Sequence, residues 1–269
     1  MSKEEVDENK NEPLVNPSEE EVSKKKILLY YGLTVGAVLL IVIIVFIIAV
    51  SLGGSPKSQK NNSFISKYTA EKDKKIKLFN SVLSNSISSM KVDDEEVKVE
   101  NEISFLTDGE HKVEVILNKE LNSTENLFKN CANLKEVDLS NLKIKSLTSM
   151  SGMFSGCVQL TSANFTNLKT KTVENMAKMF YDCSSLEKLN LSSFETENLI
   201  NMESMFENCE KLNFLDIRNF NSKKLTSKSN IFNGLPENGT IFYNSDLFSD
   251  DLFKESNVET WELNNVKNK

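Results

Sequence analysis

The chain has few of the residues that build active sites. Its 269 residues include one histidine, one tryptophan, four prolines and nine glycines. The sequence contains no Gly-x-Ser-x-Gly motif and no phosphate-binding glycine loop. His111 stands beside a predicted turn, where we expect it to be solvated, with no nucleophile motif near it. We therefore predict no catalytic residues, no cofactor and no enzyme activity.

Basic residues and metal-binding motifs are scarce as well. The chain carries 32 Lys and Arg against 39 Asp and Glu, a formal net charge of −7. A nucleic-acid-binding protein needs a basic face, so no nucleic-acid partner is predicted. Closely spaced cysteine pairs such as C-x2-C, which zinc sites use, are absent, and no metal site is predicted.

A period of 26 residues dominates the second half of the chain. It carries all four cysteines and five phenylalanines, which are Cys131, Cys157, Cys183, Cys209, Phe128, Phe154, Phe180, Phe206 and Phe232. A fixed period of this length is typical of a repeat solenoid, in which each turn buries its apolar face against its neighbours. We predict that these residues form columns in the core.

Each repeat combines two apolar spacings. Leu186, Leu189 and Leu191 give the L-x-x-L-x-L spacing of a leucine-rich-repeat strand. The residues from Leu199 to Cys209 place apolar side chains three, four and seven positions apart, which predicts a helical turn. The predicted fold class is therefore an α/β repeat solenoid of the leucine-rich-repeat type, with short parallel strands and helical turns, preceded by one transmembrane helix.

The repeat resembles that of the BspA-like leucine-rich-repeat surface proteins, M-F-x-x-C-x-x-L-x-x-L-x-L-S-x-F followed by Asn-Met. The matching residues include Met179, Phe180, Cys183, Leu186, Leu189, Leu191, Ser192, Phe194, Asn201 and Met202. The resemblance implies a cell-surface protein that acts in adhesion or partner binding and has no catalytic residues.

The state of the four cysteines has two interpretations. In a surface protein, four cysteines ordinarily suggest disulfides, and neighbouring turns about 4.8 Å apart do not exclude a bridge on distance alone. A column among core methionines and phenylalanines favours small buried thiols instead. We expect reduced structural thiols.

An apolar segment predicts a membrane anchor. Residues 27–52 carry no charge and are long enough to span a bilayer, whereas the apolar core of a cleaved signal peptide is shorter. Lys24, Lys25 and Lys26 favour an N-terminus in the cytoplasm and repeats outside the cell. The sequence thus predicts a signal-anchored, single-pass cell-membrane protein in contact with lipid. Gly32 and Gly36 would allow weak homodimer formation through this helix.

Composition divides the chain into six predicted segments. Apolar spacing over about 70–90 predicts a helix, and Asp108-Gly109 predicts a hairpin turn after it; both belong to the segment 70–125. The segments are a polar acidic cytoplasmic tail at 1–26, a transmembrane helix at 27–52, a stalk at 53–69, a juxtamembrane helix with an N-terminal capping hairpin at 70–125, leucine-rich repeats at 126–235 and a C-terminal cap at 236–269.

The outward side chains of the predicted strands form the candidate binding face. Its residues are Asp138, Asn164, Lys188, Asn190, Phe214, Asp216 and Arg218. Solenoids commonly bind partners on such a sheet, and aromatic and arginine side chains anchor most interfaces. The alternative is that these polar residues only keep the outer face hydrated. We expect a non-catalytic binding or adhesion module for an extracellular protein or glycan. The alternative function is receptor-like signalling through paired anchors and the acidic tail.

Overall fold

The computed structural model describes residues 61–83, 85–254 and 257–266, all within one compact unit at 60–269. These residues form twelve strands: β1 (Ser63–Ala70), β2 (Lys75–Lys77), β3 (Ile87–Val92), β4 (Glu95–Val97), β5 (Glu102–Ser104), β6 (Gly109–Leu117), β7 (Leu134–Asp138), β8 (Ser162–Asn164), β9 (Lys188–Asn190), β10 (Phe214–Asp216), β11 (Thr240–Tyr243) and β12 (Glu262–Asn265). The described helices are short 3₁₀ turns at Ser81–Leu83, Asp250–Leu252 and Asn257–Thr260.

An antiparallel sheet precedes the repeats. Its strands lie in the order β4-β3-β6-β1, and β6 alternates buried and half-buried residues as expected for a strand with one covered face. This arrangement corrects two predictions. Residues 63–69, assigned to the stalk, belong to β1, which buries Phe64 and Tyr68. The segment 70–90, predicted to be helical, instead contains the end of β1, β2, a 3₁₀ turn and most of β3.

The repeats stack on this sheet as a β-solenoid of about five turns. Strand β7 pairs antiparallel with β1 on one side and parallel with β8 on the other. Strands β9 to β12 form a second parallel ladder, in which residues 26 positions apart lie opposite each other from β9 to β11. One sheet therefore continues from the antiparallel region into the stack.

The segments predicted to be helical turns are runs of tight β-type turns. Residues four positions apart in each turn adopt a positive φ, which a right-handed helix does not allow. These residues are Asn126, Asn130, Gly152, Gly156, Lys178, Asp182, Ser204, Asn208, Asn230 and Gly234. The inward side chains recur at spacings of three, four and seven, which a helix would also give. The sequence pattern therefore did not separate the two structures.

Hydrogen bonds between turns replace the helical ones. In the second turn, the N–H groups of Met150, Gly152 and Phe154 donate to carbonyls 25 residues ahead, over 2.8–2.9 Å. In an α-helix the same groups would bond four residues back within their own segment. The predicted α/β leucine-rich-repeat class is therefore wrong, and the described fold is almost entirely β.

The C-terminal segment continues the ladder. Strand β11 pairs parallel with β10, and β12 with β11. Phe253 packs against Phe232 at a centroid distance of 5.6 Å and thereby covers the last ring of the core. Trp261 lies so close to Gly239 that a Cβ there would come within 2.6 Å of its ring, so this contact requires glycine.

The single-pass membrane prediction also needs correction. Within 61–83, 85–254 and 257–266, no helix is long and apolar enough to cross a bilayer. The predicted tail at 1–26, anchor at 27–52 and first part of the stalk lie outside the described residues, as do Gly32 and Gly36. On this finding the predicted single-pass topology and cell-membrane location are withdrawn.

Candidate functional site

The Asp and Asn side chains of the outer strand face terminate their strands. Each Oδ1 atom accepts the N–H group two residues ahead, in the geometry of an Asx turn. The bonds are Asp138–Ser140 at 2.9 Å, Asn164–Thr166 at 3.0 Å, Asn190–Ser192 at 2.9 Å and Asp216–Arg218 at 3.2 Å. Four of the seven predicted binding residues therefore have a structural role, because their side chains stabilise the turns at the strand ends.

The N-terminal part of this face has few polar groups free to bond a ligand. Asn164 Nδ2 donates to Asp138 Oδ1 over 3.0 Å, so these polar groups satisfy one another. Lys188, on β9, is exposed and has no ion pair with any described residue. Lys188 lies opposite Phe214 in the register of β9 and β10. The face therefore changes from polar to aromatic along the stack.

The C-terminal part of the face holds Asp216 and Arg218 in a rigid pair. Asp216 is buried, at 2 % exposure, and its carboxylate accepts two parallel bonds from Arg218, Nε–Oδ1 at 2.9 Å and Nη2–Oδ2 at 2.5 Å. The Asp216 hydrogen bond raises the pKa of the Arg218 guanidinium. A two-bond fork of this kind fixes the plane of the guanidinium, so Arg218 is held in place before any ligand arrives.

Two phenylalanines complete this part of the face. The rings of Phe214 and Phe242 lie 5.5 Å apart with their planes tilted by 46°. The Cζ atom of Arg218 stands 5.7 Å from the centroid of Phe242, within cation–π range. We name Phe214, Asp216, Arg218 and Phe242 the aromatic–arginine cluster. Three of its members were predicted from the sequence.

Phe242 was missed. Phe242 is the equivalent of Asp216 in the next turn: the two residues are 26 positions apart and lie opposite each other between β10 and β11. The sequence predicts a C-terminal cap here rather than a further repeat, and Phe242 belongs to neither the cysteine column nor the phenylalanine column of the 26-residue period. Counting the period one turn further would have found Phe242 on the outer face.

The phenylalanines of the 26-residue period form one stacked column. Adjacent centroids lie 5.4, 5.6, 6.0 and 6.0 Å apart from Phe128 to Phe232, with planes within 12° of parallel. Phe64, from the antiparallel sheet, meets the first ring edge-on at 5.4 Å. A single aromatic column thus extends from the N-terminal sheet to the C-terminal residues.

The cysteines lie beside this column as free, fully buried thiols. The Sγ atoms of Cys157, Cys183 and Cys209 donate to phenylalanine carbonyls of the preceding turn over 3.0–3.3 Å. Burial raises the pKa of all four thiols, for Cys131 and Cys209 to about 12. A thiol that remains protonated and inaccessible is not a nucleophile.

His111 is buried rather than solvated, contrary to expectation. Its ring stacks on Phe105 at 4.1 Å. Nδ1 lies 2.7 Å from Asp93 Oδ2, and Nε2 lies 3.0 Å from the carbonyl oxygen of Thr107. These contacts join β6 to the loops that precede it, which is a structural role.

Comparison with known proteins gives one family match. The model of a family described as Mycoplasma protein of unknown function, DUF285, matches residues 122–245, which is less than half of the chain. No curated protein and no solved structure matches the sequence. The assigned resemblance to BspA-like leucine-rich-repeat proteins is therefore wrong, because no such family matches and the turns lack the predicted helices.

Proposed function

We propose that this protein is a non-catalytic binding module that holds a protein ligand at the aromatic–arginine cluster. The observation that carries the proposal is the pairing of two half-buried phenylalanines with a guanidinium already fixed by Asp216. Aromatic and arginine side chains supply most of the energy of protein interfaces. A side chain that is ordered before binding loses less conformational entropy in the complex.

The shape of the cluster favours a protein over a glycan. Sugar rings stack on flat aromatic surfaces, whereas the 46° tilt between Phe214 and Phe242 makes a shallow notch. An apolar side chain of a partner fits such a notch, with the exposed edge of Arg218 available to a partner carbonyl or carboxylate. The carboxylate of Asp216 neutralises part of the arginine charge, so the cluster is better suited to a mixed apolar and polar contact than to a polyanion.

The receptor-like alternative stays a prediction. It depends on the acidic segment at 1–26 and on Gly32 and Gly36, all outside the described residues. The described residues give no observation that favours it.

The test compares binding by variants of the full chain. Proteins retained by the immobilised wild type are identified, purified and titrated against the wild type, Phe242→Ala, Phe214→Ala and the control Lys188→Ala. Arg218 is left intact, because its removal would leave the buried Asp216 carboxylate unpaired. Unfolding midpoints verify that each variant folds.

We expect Phe242→Ala and Phe214→Ala to weaken the purified partner's affinity by at least about 10-fold, and Lys188→Ala to leave it unchanged. A partner that binds all four proteins equally, or an immobilised wild type that retains no protein, would contradict the proposal.

A further inference from the structure

A second surface lies at the corner that follows strands β7 and β8 in the first two turns. There the chain segments 140–147 and 167–172 enclose an open pocket of about 540 Å³. Two hydrogen bonds delimit the opening, Asn167 Nδ2 to the Ser140 carbonyl at 3.2 Å and Thr172 Oγ1 to the Leu147 carbonyl at 2.8 Å. This pocket is remote in register from the aromatic–arginine cluster and independent of the function proposed for it.

The pocket opens where one side-chain bridge between turns is missing, while the Thr172 hydroxyl still bonds the Leu147 carbonyl at its far end. In the second turn, Thr170 Oγ1 donates to the Glu195 carbonyl and accepts its N–H, at 3.1 and 2.9 Å. In the third turn, Thr196 Oγ1 accepts the N–H of Asn221 at 2.7 Å. The equivalent residue of the first turn is Ile144, which has no hydroxyl to join the first turn to the second. The gap is therefore specific to these two turns.

Four lysines surround the gap. Lys143 and Lys169 occupy equivalent positions of adjacent turns, and so do Lys145 and Lys171; all four are exposed. Glu120 is the one acidic residue among those that line the pocket. Of the four lysines, Lys171 has an ion pair with a described residue, Glu197 at 3.6 Å. Like charges at equivalent positions of adjacent turns repel, so a ligand that brings negative charge would relieve this repulsion.

One lining residue does not contribute to ligand contact. Asn141 lines the pocket, and its Oδ1 atom is buried without a hydrogen-bond donor among the described residues. Because this oxygen has no exposed surface, a ligand in the pocket does not reach it. The lysines are therefore the groups available to a ligand.

We infer that this corner binds a sulfated polysaccharide. Sulfates on adjacent sugar rings can meet several lysines within one small pocket, whereas an extended acidic peptide alternates its side chains between opposite faces. Nucleic acid is disfavoured because the lining has no aromatic or arginine residue on which bases could stack. The next turn places Glu195 and Glu197 in the lysine positions, so the positive charge ends there and the corner fits a short sulfated segment of the polysaccharide.

The experiment titrates the full chain with a short heparin oligosaccharide and compares three variants. Lys143→Ala/Lys169→Ala removes two pocket charges. The control Lys72→Ala/Lys211→Ala removes the same charge from exposed residues elsewhere. Ile144→Thr changes no charge but restores the hydroxyl that bridges the later turns.

We expect the wild type and the control to bind equally, and Lys143→Ala/Lys169→Ala to bind about 10-fold more weakly. Ile144→Thr should also weaken binding, since it closes the gap. The chemically desulfated oligosaccharide should not bind. Equal affinities for both double variants, tighter binding of an acidic peptide or oligonucleotide of matched charge, or no heparin binding by the wild type would overturn the inference.

Discussion

The antiparallel N-terminal sheet and the stacked turns bury apolar side chains in different ways. In the sheet, unlike residues meet: Val115 on β6 lies opposite Phe64 on β1. In the stack, like residues meet, since each phenylalanine ring packs on the ring of the next turn. A buried side chain of the sheet therefore meets unlike partners, as Val115 does with Phe64 on one side and Met90 on the other, whereas one in the stack supports two equivalent interfaces between turns.

Thiol reactivity should separate the two regions most strongly. Cys183 is fully buried in the stack, so alkylation requires its turn to open. We expect alkylation of native Cys183 to be at least about 1,000-fold slower than in the unfolded chain. The control Ser88→Cys places a thiol at an exposed position of β3 and should react at the unfolded rate. Native Cys183 labelled as fast as this control, by mass spectrometry, would show that the stack opens readily.

The stack should also lose stability at high pH. Burial raises the pKa of Cys131 and Cys209 to about 12, whereas an unfolded thiol titrates near about 8.5. The unfolded chain therefore loses thiol protons first, and stability that is complete below about pH 8.5 declines as pH rises towards the folded value. Urea unfolding should show this decline, and Cys131→Ala/Cys209→Ala should reduce it, since Cys157 and Cys183 still contribute. Identical profiles for the two proteins would exclude Cys131 and Cys209 as a cause.

Removing one ring from each region should cost similar free energy but affect different lengths of chain. Phe180→Ala in the stack and Phe79→Ala in the loop after β2 of the N-terminal region each remove a buried ring and should cost about 3–5 kcal/mol. Hydrogen exchange should accelerate in the turns on both sides of Phe180, but only within the N-terminal region for Phe79. If Phe180→Ala changed exchange in its own turn alone, the turns would not be coupled.

A smaller loss is expected from the hydroxyl bridges between turns. Thr196 is fully buried, and its hydroxyl accepts the Asn221 N–H. Thr196→Val should therefore cost about 1–3 kcal/mol, the penalty for a buried donor without a partner. Thr161, whose hydroxyl bonds the Lys135 carbonyl at an exposed site, is the matched control, and its change to Val should cost much less. If both variants lost the same free energy of unfolding in denaturant titrations, the buried hydroxyl bond would stabilise the protein no more than the exposed one.

The smallest effect is expected where the two regions meet. Lys67 on β1 and Glu136 on β7 form an exposed ion pair at 2.6 Å. Exposed pairs contribute little because water and salt screen them. Glu136→Gln should leave the unfolding midpoint almost unchanged. A clear drop would indicate that the junction depends on this pair rather than on the strand pairing and the Phe64 contact.

The sequence predicted inward positions better than backbone geometry. A spacing of three, four and seven places Met150, Phe154 and Cys157 inward in either a helix or a run of tight turns. What separates the two is the positive φ at two positions per turn. In the second turn glycines occupy both positions, but Lys178, Asp182 and Ser204 occupy the same positions in later turns. Such residues adopt this conformation through the hydrogen bonds between turns, which short-range patterns do not reveal.

The candidate site was predictable only in part. The period placed Phe214, Asp216 and Arg218 on the outer face, but the Asx-turn bonds that occupy the Asp and Asn oxygens depend on how each strand ends. The lysine pocket was missed because it arises from one substitution, Ile144 in place of threonine, whose effect requires knowing which hydroxyls bridge the turns. Similarly, the helical spacing over 70–90 gave no sign that β3 would pair with β6.

The corner at Ile144 has a consequence for chain length. In the segment 150–156, N–H groups donate to carbonyls 25 residues ahead, so one inserted residue there would misalign every donor that follows in that turn. Between 143–147 and 169–173, no backbone–backbone hydrogen bond joins the two turns among the described residues. Extra residues after Lys145 would therefore leave the ladders in register. The same corner of the next turn, within the described chain, also lacks such backbone bonds, but the side chains of Thr170 and Asn198 join its two segments. The corner at Ile144 is therefore the better of the two for inserting a tag or a foreign epitope.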